Sequence, residues 1–447
     1  MKKSLLKGAL IIAIGGFVAK LLGAIYRVPL TNLLKSEGLG LYQMVFPVYC
    51  ILLDFAGGGV PCGLSKLISG EVDEKRKVAL IKNAVTVLAI TGLIGSLFML
   101  AFSGVIAKAQ GNPLAKLGYV FLSPSVCLVS ILSCYRGYFQ GENQMSPTAI
   151  SQIIEQVIKL IFGLILVALL MPNVPLSVGG ATFAVTLSEL VALVYLFLKY
   201  KKVTFKIGRV KLEKNYFKQD IIKLLKICLP ITLTGILIPI SQTIDSFLII
   251  NILAKYMQNA TNVYGLFSGA VMSVVNLPVS ICYGLAVAVL PLVSGDKNGG
   301  KKHADKAIIL TLILSLILAV LVYFFANFAI KVLFKGLSAS EKLTTTLLLK
   351  ATSPVVITLS LLQTINSILI GKGKSHIPLI NLGVGVMVKT VLSIILLQNP
   401  NLNIFGSVIS LNACYFVATF LNLVYYFIDN NKRKLSNDTL QIATKRN

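Results

Sequence analysis

The sequence predicts an all-α polytopic membrane protein of about twelve transmembrane helices, arranged as two bundles of six. Three observations predict it. Of the 447 residues, 56% are hydrophobic, against roughly 45–50% for an average soluble domain. Apolar runs of about 20 residues, long enough to cross a bilayer as a helix, recur from one end of the chain to the other. Lysine and arginine alternate sides: of 42, with Lys82, Lys116, Arg136, Lys199, Lys223, Lys226 and Lys306 at span ends counted with the adjoining loops, 30 fall on the side of the N-terminus, seven on the other side and five within spans. That asymmetry fits the positive-inside rule with both termini cytoplasmic. A missed span would scramble it. The net charge of +26 then belongs to a cytoplasmic face that meets anionic lipid head groups, and nucleic acid is not a partner.

Hydropathy places the spans at 8–30, 40–65, 79–105, 114–136, 147–171, 179–199, 222–252, 263–293, 306–330, 345–370, 377–397 and 404–428. The opening Met1-Lys2-Lys3 resembles a signal peptide, but the apolar stretch behind it is too long and lacks a prompt cleavage site. It is expected to stay as the first span. Gly16, Lys20, Gly23 and Arg27 follow i, i+4, i+7, i+11, one face of a helix. Charge at membrane depth costs at least a few kcal/mol and usually lines a water-filled or protein-lined path. Glycines beside cations leave room for a ligand, so this face is expected to line a cavity for an anion.

A polar turn near Thr31–Gly38 leads to the second span, which carries Asp54. Gly57-Gly58-Gly59-Val60-Pro61 interrupts that span as a hinge or a close helix crossing. On the fifth span Glu155 and Lys159 stand four apart, close enough to pair, and the sixth carries Glu189. The basic loop Lys199 to Lys226 divides the chain. The seventh span has a polar stripe of Thr234, Ser241, Gln242 and Asp245, with Pro230 and Pro239 breaking its hydrogen-bond ladder, which suits a moving gate. Lys389 stands mid-span in the eleventh without a local partner.

The organisation expected is a six-helix bundle over 1–204, a basic cytoplasmic linker over 205–221, a second bundle over 222–430 and a basic tail over 431–447. The halves echo each other. Ser123-Pro124 matches Ser353-Pro354, Gly141 matches Gly371 and Lys159 matches Lys389, all at one offset, and Leu67-Ile68-Ser69-Gly70-Glu71 is echoed by Leu292-Val293-Ser294-Gly295-Asp296. Six spans per half in one orientation imply parallel repeats, a design that places substrate near the midplane between halves. The seven cysteines form no CxxC pair and read as packing residues. With two histidines, both in basic loops, neither a metal site nor a cofactor is expected. Lys372-Gly373-Lys374-Ser375 mimics a Walker A ending, but Ile368 stands where the pattern needs glycine.

Two stretches resemble a known family. Tyr135-Arg136-Gly137-Tyr138-Phe139-Gln140-Gly141, then Met145-Ser146-Pro147-Thr148-Ala149-Ile150-Ser151-Gln152 and Glu155-Gln156, are similar to the stage V sporulation protein B and polysaccharide-biosynthesis flippases. So is Gly23-Ala24-Ile25-Tyr26-Arg27-Val28-Pro29-Leu30, followed by Gly38-Leu39-Gly40-Leu41-Tyr42-Gln43. These form a branch of the multidrug/oligosaccharidyl-lipid/polysaccharide (MOP) exporter superfamily. The resemblance implies a V-shaped pair of six-helix bundles, no enzymatic activity, and outward flipping of an undecaprenyl-pyrophosphate-linked sugar such as lipid II. It implies a lipid-linked glycan as ligand and cell-wall synthesis proteins as partners. The cavity residues expected are Lys20, Arg27, Asp54, Lys159, Asp245 and Lys389. Those expected to gate are Gly57, Gly58, Gly59, Pro61, Pro230 and Pro239. Three alternatives stay open: a cation-coupled multidrug antiporter of the same superfamily, an integral-membrane glycosyltransferase or polymerase, and a scaffold for cell-wall enzymes. The antiporter calls for an acidic cavity, whereas the first helix offers cations. The enzyme needs a substantial outer loop, and those loops are short.

Overall fold

The computed structural model describes the backbone of residues 2–205, 214–295 and 301–446, and side chains for 15–16, 18–19, 21–205, 217–284 and 301–429. These residues form helices and connecting turns, with no strand among them. They pack as two compact units, Met1–Ala270 with Phe334–Ser338, and Val271–Leu333 with Ala339–Asn447. Most of the linker and the Leu292–Asp296 echo lie outside the residues whose side chains are described, as does the basic tail.

In the first unit, α1 (Lys2–Leu53) consists of two arms joined at Lys35, whose φ of 56° and ψ of −164° break the helix. The break is anchored. Thr31 donates to the Arg27 carbonyl at 2.8 Å, and the Asn32 side chain accepts from the Gly336 amide at 3.0 Å. A π-helical turn, Asp54–Gly58, leads into α2 (Val60–Ser69). Then come α3 (Glu74–Ala109), α4 (Lys116–Gly141), α5 (Met145–Leu170) and α6 (Val174–Thr204). The side chain of Asp73 caps α3 and that of Asn173 caps α6, supplying acceptors for amides a helix start leaves unpaired.

The chain continues through α7 (Lys214–Gly235), α8 (Leu237–Leu253) and α9 (Ala260–Tyr264). Pro239 has no N–H to give the Gly235 carbonyl, and its ring crowds that carbonyl. The helix breaks at Ile236, between α7 and α8. The outer arm of α1 packs on Ala260–Ala270 by glycine contact: a Cβ on Gly40 would lie 2.1 Å from the Thr261 carbonyl oxygen, and one on Gly265 would lie 2.3 Å from that of Ser36. Gln43 donates to the Ser268 carbonyl at 2.6 Å, and Gln110 donates to Ser246 at 2.8 Å. At the other end, Asp220 of α7 is buried and accepts from Arg76 and Asn83 of α3.

The second unit contains α10 (Met272–Gly295), α11 (Lys301–Leu333), α12 (Ala339–Thr352), α13 (Pro354–Gly371), α14 (His376–Leu396) and α15 (Phe405–Arg446). Polar side chains tie these helices together, as is common where both surroundings and core are apolar. Thr311 meets Thr364 at 3.1 Å. Asn381 donates to Asn422, and Asn422 donates to Asn366, each at 2.7 Å.

Among the described residues, eleven helices are long and apolar enough to cross a membrane. The first of them, Leu21–Ser69, contains the Lys35 break and therefore supplies two crossings, which gives the twelve the sequence predicts. Large apolar side chains stand exposed along α3 (Ile94, Leu97, Val105) and α11 (Ile313, Phe324, Phe328). A lipid-facing surface needs such a band, and a soluble protein rarely tolerates it. All seven cysteines are free thiols.

Candidate functional site

The first arm of α1 and α5 form the polar seam of the first unit. Their register follows from glycine contacts. A Cβ on Gly15 would lie 2.6 Å from the Ala149 Cβ, one on Gly23 3.3 Å from the Gln156 side-chain oxygen, and one on Gly163 2.6 Å from the Tyr26 hydroxyl oxygen. Numbers rise together on both helices, so the two run parallel. Beside Gly16 the space is open, with no neighbouring atom within 4 Å of an added Cβ.

Lys159 of α5 reaches this seam and lies over the Tyr26 ring, with Nζ 5.8 Å from its centroid. The charges it feels are Glu155, Arg27 and Glu189. Glu155 does not pair with it. Instead Arg136 of α4 donates to Glu155 at 2.8 Å and to Ser151 at 3.1 Å. Lys159 is thus left without a direct ion pair among the described residues, within electrostatic range of a second cation. Glu189 of α6 is also committed. Tyr49 donates to it at 2.5 Å, Ser125 donates to it too, and the two hydroxyls lie 3.0 Å apart. Cys50 stands amid the group, within electrostatic reach of Asp54, Arg27, Glu189 and Lys159.

The residues expected from the sequence therefore fall in several places. Arg27 and Lys159 come together. Lys20 is on the same helix as Arg27, but its side chain lies outside the described residues. Asp54 begins the π-helical turn, and its carboxylate lies about where a side chain at Gly235 would go, 3.5 Å from an added Cβ. It borders the α7–α8 break. Asp245 is half-buried on α8 near Tyr264. Lys389 is buried in the second unit and engaged by its neighbours. The glycine run is both a π-helical turn and a tight crossing: a Cβ on Gly57 would lie 2.8 Å from the Ser133 Oγ, and one on Gly59 2.5 Å from the Cys228 carbonyl oxygen. Pro61 occupies the first turn of α2, where a missing N–H costs nothing. Pro230 lies inside α7.

Arg136 escapes a reading by hydropathy because the apolar run ends at it, whereas α4 continues to Gly141. The useful signal was the aromatic-rich run beyond it, which keeps Tyr138 and Phe139 in the core.

A profile of the family described as "Polysaccharide biosynthesis protein" matches residues 5–297. The chain belongs to that family. Stage V sporulation protein B of Bacillus subtilis (strain 168) is 27% identical over 442 residues, covering 94% of this chain and 83% of that protein. Lipid II flippase MurJ of the same organism is 25% identical over 427 residues, covering 89% and 78%. Among solved structures, an inward-facing multidrug resistance MATE family transporter of the MOP superfamily superposes with a TM-score of 0.78 at 15% identity, covering 93% of this chain and 95% of that one. Lipid II flippase MurJ in an inward closed conformation gives 0.74 at 15% identity, covering 93% and 87%. At such identities the superpositions establish the fold. Family and fold together make this chain a multi-pass membrane protein with the fold of MOP-superfamily transporters.

Proposed function

We propose that this protein flips a lipid-linked pyrophosphoryl sugar, of the undecaprenyl type, from the inner to the outer leaflet of the bacterial cytoplasmic membrane. The observation that carries the reading is the pairing of Arg27 with a Lys159 that has no ion pair among the described residues, on one polar seam inside a membrane fold. Two like charges in each other's field at membrane depth repel each other, so an anion that joins them lowers their energy. Pyrophosphate supplies that anion. Arginine grips it with two parallel hydrogen bonds and lysine adds a point charge. The prenyl tail stays in lipid while the head group rides the seam, exposed to one side of the membrane and then to the other. The Gly57–Gly59 turn and the α7–α8 break at Ile236 supply the bending. Anionic lipids meet the basic cytoplasmic loops, and both termini are cytoplasmic.

Replacing Arg27 with Ala tests the reading in a liposome flipping assay. One to two charge-assisted hydrogen bonds are lost, worth about 1.5–3 kcal/mol each, so flipping at limiting substrate falls at least tenfold at normal protein levels. Undiminished flipping would remove Arg27 from the site.

A further inference from the structure

We propose that Gln152 and Gln156 read the sugar of the lipid-linked substrate, an inference that rests on the pyrophosphate reading of Arg27 and Lys159. Residues 152, 156 and 159 follow i, i+4, i+7 on α5 and share one face. Contact with Gly23 sets Gln156 on the stripe of α1 that also carries Gly16 and Arg27. Neither amide makes a hydrogen bond within the protein among the described residues, and the Gln152 carboxamide oxygen is buried with no donor to it. Folded proteins seldom leave a buried acceptor unmet, and an exception calls for a reason. Here the seam holds open space beside Gly16 and two cations at its far end.

The chemistry of these amides suits a sugar and not a phosphate. A carboxamide offers two donors and an acceptor. Sugar hydroxyls and acetamido groups can satisfy both kinds, whereas a phosphate dianion can only accept. At about 1.5 Å rise per residue, Gln156 stands roughly 4.5 Å and Gln152 roughly 10.5 Å below Lys159 along the helix. A pyrophosphate held by Lys159 and Arg27 therefore leaves its first sugar lying along the α1–α5 seam, beside Gln156 and then Gln152. The cations set the class of ligand by charge, and the amides separate glycosylated lipid from bare carrier.

The test compares lipid II with undecaprenyl pyrophosphate as probes for the full-length purified protein in nanodiscs. Gln152→Leu and Gln156→Leu should each weaken lipid II binding about fivefold to tenfold, the worth of one neutral hydrogen bond, and leave the bare pyrophosphate unchanged. Lys159→Met should weaken both. The shorter amides Gln152→Asn and Gln156→Asn, which keep polarity and fold, should lower the same ratio of affinities. If Lys159→Met weakens both lipids while every glutamine variant leaves their ratio intact, the sugar proposal fails and the pyrophosphate reading stands. The sugar proposal fails as well if the wild-type protein binds the two lipids equally. If Lys159→Met affects neither lipid, the pyrophosphate reading itself falls.

Discussion

Replacing Lys159 with Met removes an ammonium and keeps most of the volume of its stem. In the empty protein the ammonium has one direct favourable contact, the Tyr26 ring at 5.8 Å, and such contacts are worth about 0.5–1 kcal/mol, more when dry. Against it stands the loss of hydration, several kcal/mol for a fully buried ion and less for this half-buried one, while repulsion from Arg27 is offset by attraction from Glu155 and Glu189. Removing the charge should thus stabilise the fold by about 1 kcal/mol, a shift of a few degrees in Tm. Function should move the other way. Losing a charge-assisted contact to phosphate, about 1.5–3 kcal/mol, weakens binding roughly 10- to 150-fold. Thermal unfolding of the detergent-purified protein and flipping in liposomes, measured on one preparation, read both numbers. A lysine kept for packing would give the opposite pattern, with Tm falling and the residual flipping tracking the folded fraction. That result, or undiminished flipping, would refute the reasoning.

Two further outcomes follow from the same geometry. Arg136→Met frees Glu155 to pair with Lys159 one turn away, so pyrophosphate-lipid binding should drop about tenfold, and the double variant Arg136→Met/Glu155→Gln should recover it in the same binding assay. Asp220→Ala leaves Arg76 and Asn83 without their shared acceptor. Because Arg76 keeps 22% side-chain exposure, the loss in thermal stability should be about 2–3 kcal/mol, below the usual range for a broken buried pair, with flipping per folded molecule unchanged.

The helices were legible because hydropathy is a property of about 20 residues at once, and an error of a few positions does not erase a span. The α7–α8 break was legible from Pro239 alone, since a missing N–H acts on the carbonyl four residues back. The site was legible only in part. Lys159 and Glu155 stand at pairing distance on a helix, and the local rule predicts a bond. Arg136, reaching over from α4, wins Glu155 by offering a fork of donors to both Ser151 and the carboxylate. No local rule carries that information. Glu189 finds Tyr49 and Ser125 at separations of 140 and 64 residues, which sequence periodicity cannot encode. Gln152 and Gln156 were legible as a stripe only after Gly23 fixed which face of α5 meets α1.

The sign of the seam also bears on the rival reading as a cation-coupled drug antiporter. A cationic drug needs a free carboxylate where it binds. Of the acids near Lys159, Glu155 is committed to Arg136 and Glu189 to two hydroxyls. Beside these committed acids stands Lys159, which has no ion pair among the described residues and lies in the field of Arg27. A cation entering the seam would face repulsion that low polarity strengthens, and it would have to displace two internal bonds to reach an acid. An anion meets attraction from both cations and breaks no ion pair of Lys159. Asp54 stands at the α7–α8 break, one helical turn from Cys50, so it is better placed to respond to bending at that break than to hold a ligand beside Lys159. On the proposed reading the seam would select by charge before it selects by shape, because Glu155 and Glu189 are held by partners other than Lys159.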